Sequence, residues 1–293
     1  MGSTIQTRCS LAGWRLRVLH ACRWIVTSLM ALTHGVAEVA EPGTVYFFST
    51  ETSIDNYGSL KAEFDRYLSA HGPYVFQPFN SREVFDRFVE GRTNCVVVLS
   101  SWHFRRLREQ VHLDPVMIGL LRQKATQKRV LCASRNAGGL QALKGERIAA
   151  AGTTEFARSV LERMVDGEQA ESLAKASLVT VPKDIDALMA VSFRMARAAL
   201  TAEESLAKFA AINPRQHAQL QVLATSEEIP MPVVATPGNS EVARKLVDVL
   251  QRMSEGGEGQ RLLRMLGFDG LRPCSVDEVA AMTAAVPRGG APP

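Results

Sequence analysis

Residues 229–273 read IPMPVVATPGNSEVARKLVDVLQRMSEGGEGQRLLRMLGFDGLRP, and this stretch decides how the chain is organised. Three prolines, Pro230, Pro232 and Pro237, mark a boundary between structural units, and a strand that crosses this boundary fits between them. Ser240 then begins a strongly amphipathic helix, and a second helix ends at Gly267. A crossing strand followed by two helices indicates a chain that returns to a unit it left earlier.

Upstream of this stretch, the chain alternates buried strands with helices. Apolar runs over 44–48, 74–79, 95–99 and 129–134 predict strands of a parallel sheet covered on both faces. A fresh strand–helix pattern begins near residue 144, after the break RNAGG. We therefore predict an α/β fold of two α/β lobes with mostly parallel sheets, joined by two hinge crossings. The predicted first lobe comprises 44–133 and 230–275, the second lobe comprises 134–229, and the tail 276–293 is predicted to be disordered.

The first 37 residues are more basic than the rest of the chain. They contain four arginines and no acidic residue, followed by an apolar segment over 25–32 and small residues at Gly35 and Ala37. This pattern is typical of an export signal with its cleavage site, so residues 1–37 are predicted to be a signal peptide. The alternatives are a start codon assigned too early and an amphipathic N-terminal tail, and a lipoprotein box ending at Cys22 is less favoured. The whole chain has 34 basic and 30 acidic residues, so the part beyond residue 37 is neutral, which argues against a general nucleic-acid-binding protein.

Polar residues follow the predicted strands at the positions where an open α/β sheet binds ligands. One pair of hydroxyls follows the first strand, and another follows the third together with an indole, which either covers a ligand or packs on its own helix. Two threonines stand at a helix start, where amides and the helix dipole attract anions, although the first of them serves equally as a cap. An arginine after strand 129–134 either pairs with an anionic ligand or is a solvated hinge charge. The candidate ligand-binding residues are Ser49, Thr50, Ser100, Ser101, Trp102, Arg135, Thr153 and Thr154.

Three segments resemble one known family. They are residues 229–273, the segment LKGERIAAAGTTEF over 143–156, and DIDALMAV over 184–191. Together they resemble the phosphate/phosphonate-type solute-binding proteins of ABC importers, which have the type II periplasmic-binding fold, and the resemblance covers roughly 44–275. It implies two lobes that close on a small solute and a membrane permease as partner. The chain departs from the family at Gly152-Thr153-Thr154-Glu155, where the usual motif is Ser-Thr-Ser-Gly.

Motifs for catalysis, metals or cofactors are not found in the sequence, so no catalytic residue, metal ligand or cofactor is predicted. Asp184 and Asp186 open a helix, where acids suit the dipole, and a catalytic pair is the less favoured alternative. The basic runs 105–108 and 122–129 are interpreted as solvated helix faces. Cys95, Cys132 and Cys274 are interpreted as unpaired thiols, with a disulfide between two of them left open.

The favoured hypothesis is an exported, monomeric, periplasmic solute-binding protein. It would capture a small anionic, phosphate- or phosphonate-like, or polar solute between its lobes for an ABC importer. An extracytoplasmic sensing subunit for a membrane signalling protein is the alternative, and an enzyme acting on a small phosphorylated compound is the third hypothesis.

Overall fold

Continuous runs of buried apolar residues form the strands of the first lobe. The computed structural model describes residues 42–51 and 56–284, so the predicted signal peptide over 1–37 lies outside the described residues. The outward path of the chain through the first lobe comprises β1 (Gly43–Phe48), α1 (Tyr57–Ser69), β2 (Tyr74–Pro78), α2 (Arg82–Val89), β3 (Cys95–Leu99), α3 (Ser101–Leu107) and β4 (Asp114–Leu120).

A two-stranded antiparallel ribbon carries the chain between the lobes. The outward crossing is β5 (Thr126–Gln127). The second lobe then comprises β6 (Arg129–Ser134), a 3-10 turn (Leu140–Leu143), β7 (Arg147–Ala151), α4 (Thr154–Glu162), α5 (Gly167–Ala174), β8 (Ser177–Val181), α6 (Asp184–Ser192), β9 (Ala198–Ala202), α7 (Glu203–Ile212), α8 (Pro214–His217) and β10 (Leu220–Thr225). The chain returns through β11 (Ile229–Pro230), which pairs with β5, and completes the first lobe with β12 (Val233–Thr236), α9 (Glu241–Arg252), α10 (Gly257–Met265), β13 (Gly270–Pro273) and α11 (Val276–Thr283).

Each lobe contains one mixed sheet. The first sheet has the order β13-β4-β12-β3-β1-β2 and the second has the order β10-β6-β9-β7-β8. Strands β1, β2 and β3 are parallel, as are β7, β8 and β9. Strands β6 and β12 run antiparallel to their neighbours, because the chain enters each sheet from the hinge side immediately after a crossing. The predicted α/β fold is confirmed, but the sheets are mixed rather than mostly parallel.

Alternating side chains of the strands form separate cores on the two faces of each sheet. In β1, Val45 and Phe47 pack with α1 and α9, whereas Tyr46 and Phe48 pack with α2 and α3. The second sheet is covered in the same way, by α4 and α5 on one face and by α6 and α7 on the other. Burial of this apolar surface is the main stabilising contribution to each lobe.

The first predicted lobe boundary was wrong. Strand β6 lies in the second sheet, where Arg129 pairs with Ala202 and Ala133 pairs with Ala198, so the outward crossing lies before residue 129 instead of after residue 133. The apolar pattern of this strand would be the same in either lobe, because both sheets are covered by helices on both faces. The return crossing lies at Ile229–Pro230.

The three cysteines of the described residues are free thiols, not disulfide-bonded. Burial raises the pKa of Cys95 and of Cys132 to about 12, and burial followed by the charge of Glu278 raises the pKa of Cys274 to about 11. Thiols with such pKa values are protonated at neutral pH and are poor nucleophiles.

The tail 276–293 was predicted to be disordered, but residues 276–283 form α11. Ser275 and Glu278 form a capping box at the start of this helix. Arg272 of β13 donates two hydrogen bonds to the carboxylate of Glu278, at 2.6 and 2.7 Å. The hydrogen bonds from Arg272 are the main cause that lowers the pKa of Glu278, to about 2. Partial burial raises this pKa, but by less than the hydrogen bonds of Arg272 and Ser275 lower it.

Glu278→Gln should therefore destabilise the protein by about 1–2 kcal/mol at pH 7. The folded-state pKa of Glu278 is depressed, so its contribution is complete above the unfolded-state pKa of 4.5 and is lost as the pH falls towards 2. Urea unfolding should show the gap between wild type and variant shrinking across this interval. A gap that is constant from pH 7 to pH 2.5 would argue against the ion pair.

Candidate functional site

The carboxyl ends of β1, β3 and β7 meet where the two lobes touch. Both lobes belong to one compact unit that starts at Pro42. Thr50, after β1, and Ser100, after β3, are buried and their hydroxyl oxygens lie 2.6 Å apart. The amide of Thr153, after β7, donates to the carbonyl oxygen of Thr50 at 2.9 Å. Hydroxyls from the first lobe and backbone donors from the second are thus brought together where the lobes touch. This contact, formed by Thr50, Ser100 and Thr153, is called the seam.

Gly152 permits this close approach of the lobes. Its φ is 84°, in the left-handed region that favours glycine. A Cβ atom at this position would lie 2.8 Å from the carbonyl carbon of Glu51 and closer still to the carbonyl oxygen of Thr50. The turn between β7 and α4 therefore needs glycine both for its conformation and for the contact with the first lobe.

A buried arginine joins the lobes through two carboxylates. The side chain of Arg129, at the start of β6, is 4 % exposed. Its Nη2 lies 3.0 Å from Oε2 of Glu51 in the first lobe, and its Nη1 lies 3.2 Å from Oδ1 of Asp184 in the second. Gln127 donates to the same oxygen of Glu51 at 2.5 Å, and Asp184 also accepts from the amide of Ala202 at 2.9 Å.

Electrostatics keep the Arg129 guanidinium charged despite its burial. Burial alone opposes the charge, but the carboxylates of Asp184 and Glu51 outweigh this effect and raise the pKa of Arg129. One carboxylate oxygen, Oε1 of Glu51, is buried without a hydrogen-bond partner among the described residues. The charged cluster of Glu51, Arg129 and Asp184 therefore retains a free hydrogen-bond acceptor at the seam.

Trp102 crosses the seam from the first lobe into the core of the second. It is 8 % exposed and packs against Phe156 of α4 with ring centroids 6.3 Å apart and planes at 75°. The guanidinium of Arg106 lies 5.2 Å from the Trp102 ring centroid, and that of Arg129 lies 5.3 Å from the Phe156 centroid. Trp102 thus packs against the core of the second lobe, rather than only on its own helix.

A cavity of about 480 Å³ lies beside the charged cluster and has walls from both lobes and the hinge. Ser49, Glu51 and Arg129 line it next to the seam. The remaining charged residues of its wall comprise both signs, and they are Arg122, Asp184, Glu204, Lys208, Arg264 and Asp269. Arg122 and Glu204 pair across the lobes at 2.7 Å. Such a lining suits a small polar solute that carries an anionic group, with or without a cationic one.

The structure brings most of the predicted site residues to the seam, but Arg135 lies elsewhere. Because β6 runs away from the cleft, Arg135 at its end lies at the far pole of the second lobe, where its Nε donates to the carbonyl of Ala218 at 2.8 Å. Ser101 is buried and donates to the carbonyl of Pro230 in the hinge at 2.9 Å. Thr153 caps α4 by accepting from the amide of Phe156, and Thr154 is exposed at the same helix start.

Sequence reasoning missed the residues of the charged cluster. Glu51 was not singled out, Arg129 was interpreted as the end of a solvated helix face over 122–129, and Asp184 was interpreted as a helix-dipole acid. The interpretation of 122–129 was wrong, because Thr126–Gln127 form the hinge strand β5 and Arg129 is buried at the start of β6. The sequence did contain one indication of this cluster, because the charged residue Arg129 directly precedes the buried strand residues 130–133. A charge that is buried together with such a strand needs an oppositely charged partner.

Two further properties concern the described residues alone. None of their helices combines the length and the apolar character needed to cross a membrane. Residues 42–51 and 56–284 contain no group of three or more His, Cys, Asp or Glu side chains arranged to hold a metal ion.

The sequence matches one protein-family model over most of its length. The model describes an ABC transporter, phosphonate, periplasmic substrate-binding protein and covers residues 46–279. The chain belongs to this family. The resemblance stated from its sequence motifs is thereby confirmed, and so is the role of a substrate-binding protein for an ABC importer. Among curated proteins, none matches the sequence.

Solved structures of similar fold share little sequence with this substrate-binding protein. A binding-protein component of an ABC phosphonate transporter from Pseudomonas aeruginosa is 14 % identical, with a TM-score of 0.60 over 83 % of this chain and 84 % of that one. A Xanthomonas citri protein solved with a chloride ion is 11 % identical, with a TM-score of 0.63 over 83 % and 97 %. PhnD1 from Prochlorococcus marinus, solved with methylphosphonate, is 12 % identical, with a TM-score of 0.58 over 83 % and 96 %.

Membership of this family has direct consequences for the substrate-binding protein. It acts outside the cytoplasm, takes a small-molecule ligand and delivers it to a membrane permease. The family is one of transport-binding proteins rather than of enzymes, and it favours transport over the sensing alternative.

Proposed function

We propose that the protein binds a small phosphonate- or phosphate-like solute, or another small polar solute, between its two lobes for uptake by an ABC importer. The observation that carries the proposal is Arg129, a buried guanidinium at the seam that lines the 480 Å³ cavity. When the lobes open, an anionic group of the solute replaces the Glu51 carboxylate against Arg129. Asp184 stays in place and holds the guanidinium in position.

The hydroxyls at the strand ends supply the remaining donors in this proposal. Ser49 lines the cavity, and Thr50, Ser100 and Thr153 meet at the seam. Opening of the lobes separates the amide of Thr153 from the carbonyl oxygen of Thr50, whereas Thr50 and Ser100 stay together in the first lobe, and the exposed groups then become available to a ligand. Since the ligand then contacts both lobes, it favours their closed arrangement over the open one, and this difference drives closure.

The proposed ligand class rests on charge and on the family. The seam offers a guanidinium, hydroxyls and the amides at the start of α4, a donor set suited to an oxyanion. PhnD1 of Prochlorococcus marinus, which shares the fold, was solved with methylphosphonate. In this chain Glu155 follows the two threonines, and its carboxylate at the start of α4 favours a solute that carries a cationic group as well.

Thr154→Arg should abolish solute binding while the protein continues to unfold cooperatively. Thr154 is exposed at the start of α4, next to the seam residue Thr153, so we expect a long cationic side chain there to obstruct the proposed site without disturbing a core. Isothermal titration with the solute found by a thermal-shift screen of phosphate, phosphite, alkylphosphonates, sulfonates and amino acids measures the effect. An unchanged affinity would remove residues 153 and 154 from the site.

The cellular setting completes the proposal. Residues 1–37 direct export to the periplasm, where the monomeric protein meets its permease without binding nucleic acid or catalysing a reaction. Fractionation of cells that express the full chain, with N-terminal sequencing of the exported form, tests the export step. Recovery of an uncleaved chain in the cytoplasm would contradict it.

A further inference from the structure

A second cavity between the lobes is lined by three arginines. It has a volume of about 290 Å³ and lies between α3 of the first lobe and α4 of the second, against the hinge segment 226–229. Arg105 and Arg106 project from α3, and Arg163 projects from the end of α4. Trp102 forms one wall, and Ser159 adds a hydroxyl. The cavity is thus separate from the 480 Å³ cavity, which shares none of these residues.

The three arginines of this cavity form no close ion pair with any residue that the structure describes. Among the described residues, no carboxylate lies within 4 Å of Arg105, Arg106 or Arg163. The Nε atom of Arg105 is buried and has no hydrogen-bond partner there. Burial and then the charge of Arg105 lower the pKa of Arg163, so the two guanidiniums repel each other across the lobes.

Two acidic residues also line the cavity, but neither forms a close ion pair with its arginines. Glu228 is engaged by Thr126 and by Lys128, the latter at 3.8 Å. Glu227 and then Glu162 attract Arg163 from a distance, but neither forms a close ion pair with it. The buried Nε of Arg105 stays unpaired, and a buried unpaired donor is costly unless a ligand satisfies it.

We propose that this cavity is a second anion site, which binds a phosphate-type oxyanion between Arg105 and Arg163. Guanidinium groups match the geometry of phosphate oxygens and bind them through paired N–H donors. Because the two arginines belong to different lobes, the bound anion bridges them and stabilises their contact. Occupancy of this site therefore favours the closed lobes and is coupled to solute binding in the cleft.

The fluorescence of Trp102 reports on the proposed site directly. The chain has three tryptophans, so the full chain carrying W14F and W24F retains Trp102 alone. Titration with inorganic phosphate and with pyrophosphate, at ionic strength held constant with chloride, should give a saturable change in its emission. R105Q or R163Q should weaken the apparent affinity at least tenfold. R215Q, which removes an exposed arginine of α8 outside both cavities, should leave the affinity unchanged.

A second variant keeps the test decisive if loss of an arginine disturbs folding. S159D places a carboxylate among the three arginines, so it should abolish the phosphate response and raise the melting temperature. A phosphate response that persists in S159D, or one that R105Q, R163Q and R215Q weaken equally, would overturn the proposal.

The T154R background separates this site from the cleft. If both sites exist, T154R loses the solute but keeps the Trp102 response to phosphate. A Trp102 response that disappears in T154R and survives in R105Q and R163Q would assign the anion to the cleft and contradict the second site. If wild type binds none of the screened solutes but still shows the Trp102 response to phosphate, the proposed cleft function is contradicted and the second anion site is not.

Discussion

Arg129→Leu should lower the free energy of unfolding by about 3–5 kcal/mol, because it leaves the buried carboxylate of Glu51 and the partly buried carboxylate of Asp184 without their counter-charge. Arg129 is 4 % exposed, so its guanidinium is largely shielded from water and interacts strongly with both carboxylates. The substitution also removes the contact with the Phe156 ring. Urea unfolding followed by circular dichroism at pH 7 measures the loss.

Two comparisons isolate the charge from the bulk of the side chain. Arg215→Leu removes an exposed arginine of the same lobe and should change the free energy of unfolding by less than about 0.5 kcal/mol. Adding Glu51→Leu to Arg129→Leu should recover part of the lost stability, since one uncompensated carboxylate is removed with its partner. If Arg129→Leu is as stable as wild type, or if adding Glu51→Leu lowers the free energy of unfolding further, the ion pair across the seam is not formed.

Gly152→Ala should open the lobes and weaken solute binding by a factor on the order of 100, because a Cβ at this position collides with the backbone of Thr50 and Glu51. The colliding atoms belong to backbone and cannot rotate away as a side chain does. Small-angle X-ray scattering should show a larger radius of gyration than for wild type, and isothermal titration should show the weaker affinity.

Gly145→Ala is the matched control for this substitution. Gly145 has a φ of 75°, close to the 84° of Gly152, and a Cβ there meets no atom within 4 Å. Both variants therefore carry a similar backbone strain of roughly 1 kcal/mol, but only Gly152→Ala carries the collision. Equal radii and equal affinities for the two variants would show that the seam tolerates the added atom.

The arrangement of charges at the seam has a consequence for specificity. Arg129 is shared between a carboxylate of each lobe. In the binding mode that we propose, an anionic solute would compete with Glu51 while Asp184 stays in place. A solute must therefore supply better hydrogen bonds than Glu51 does, which selects against weakly charged anions. The mixed charges of the 480 Å³ cavity favour a solute with both an anionic and a cationic group.

Local patterns account for most of the elements that the sequence predicted. The helix that begins at Ser240 is capped by that hydroxyl, and its apolar face packs into the first core. Strands β4, β9 and β13 were not predicted. Strand β4 contains Pro115 and Gly119, and β9 is the alanine-rich AALTA, so in each case the residue types are poor strand formers and pairing with neighbouring strands decides the conformation.

The placement of Arg135 was wrong for a reason that no local pattern supplies. An apolar strand has no direction in its sequence, so 129–134 predicts a buried strand whether its end faces the cleft or the far pole. The direction follows from where the chain crosses, at Thr126–Gln127, and that position depends on the pairing of β5 with β11 about 100 residues later.

By itself, the sequence determined an α/β chain that leaves one unit, forms a second and returns through a proline-rich crossing, with hydroxyls at the strand ends. These features are local, because strand and helix periods, caps and turns are encoded within a few residues. Only the tertiary structure decided that Arg129 meets Glu51 and Asp184, which are 78 and 55 positions away, and that Arg105 faces Arg163. The physical reason is that charges on separate lobes become neighbours only when the two lobes pack against each other.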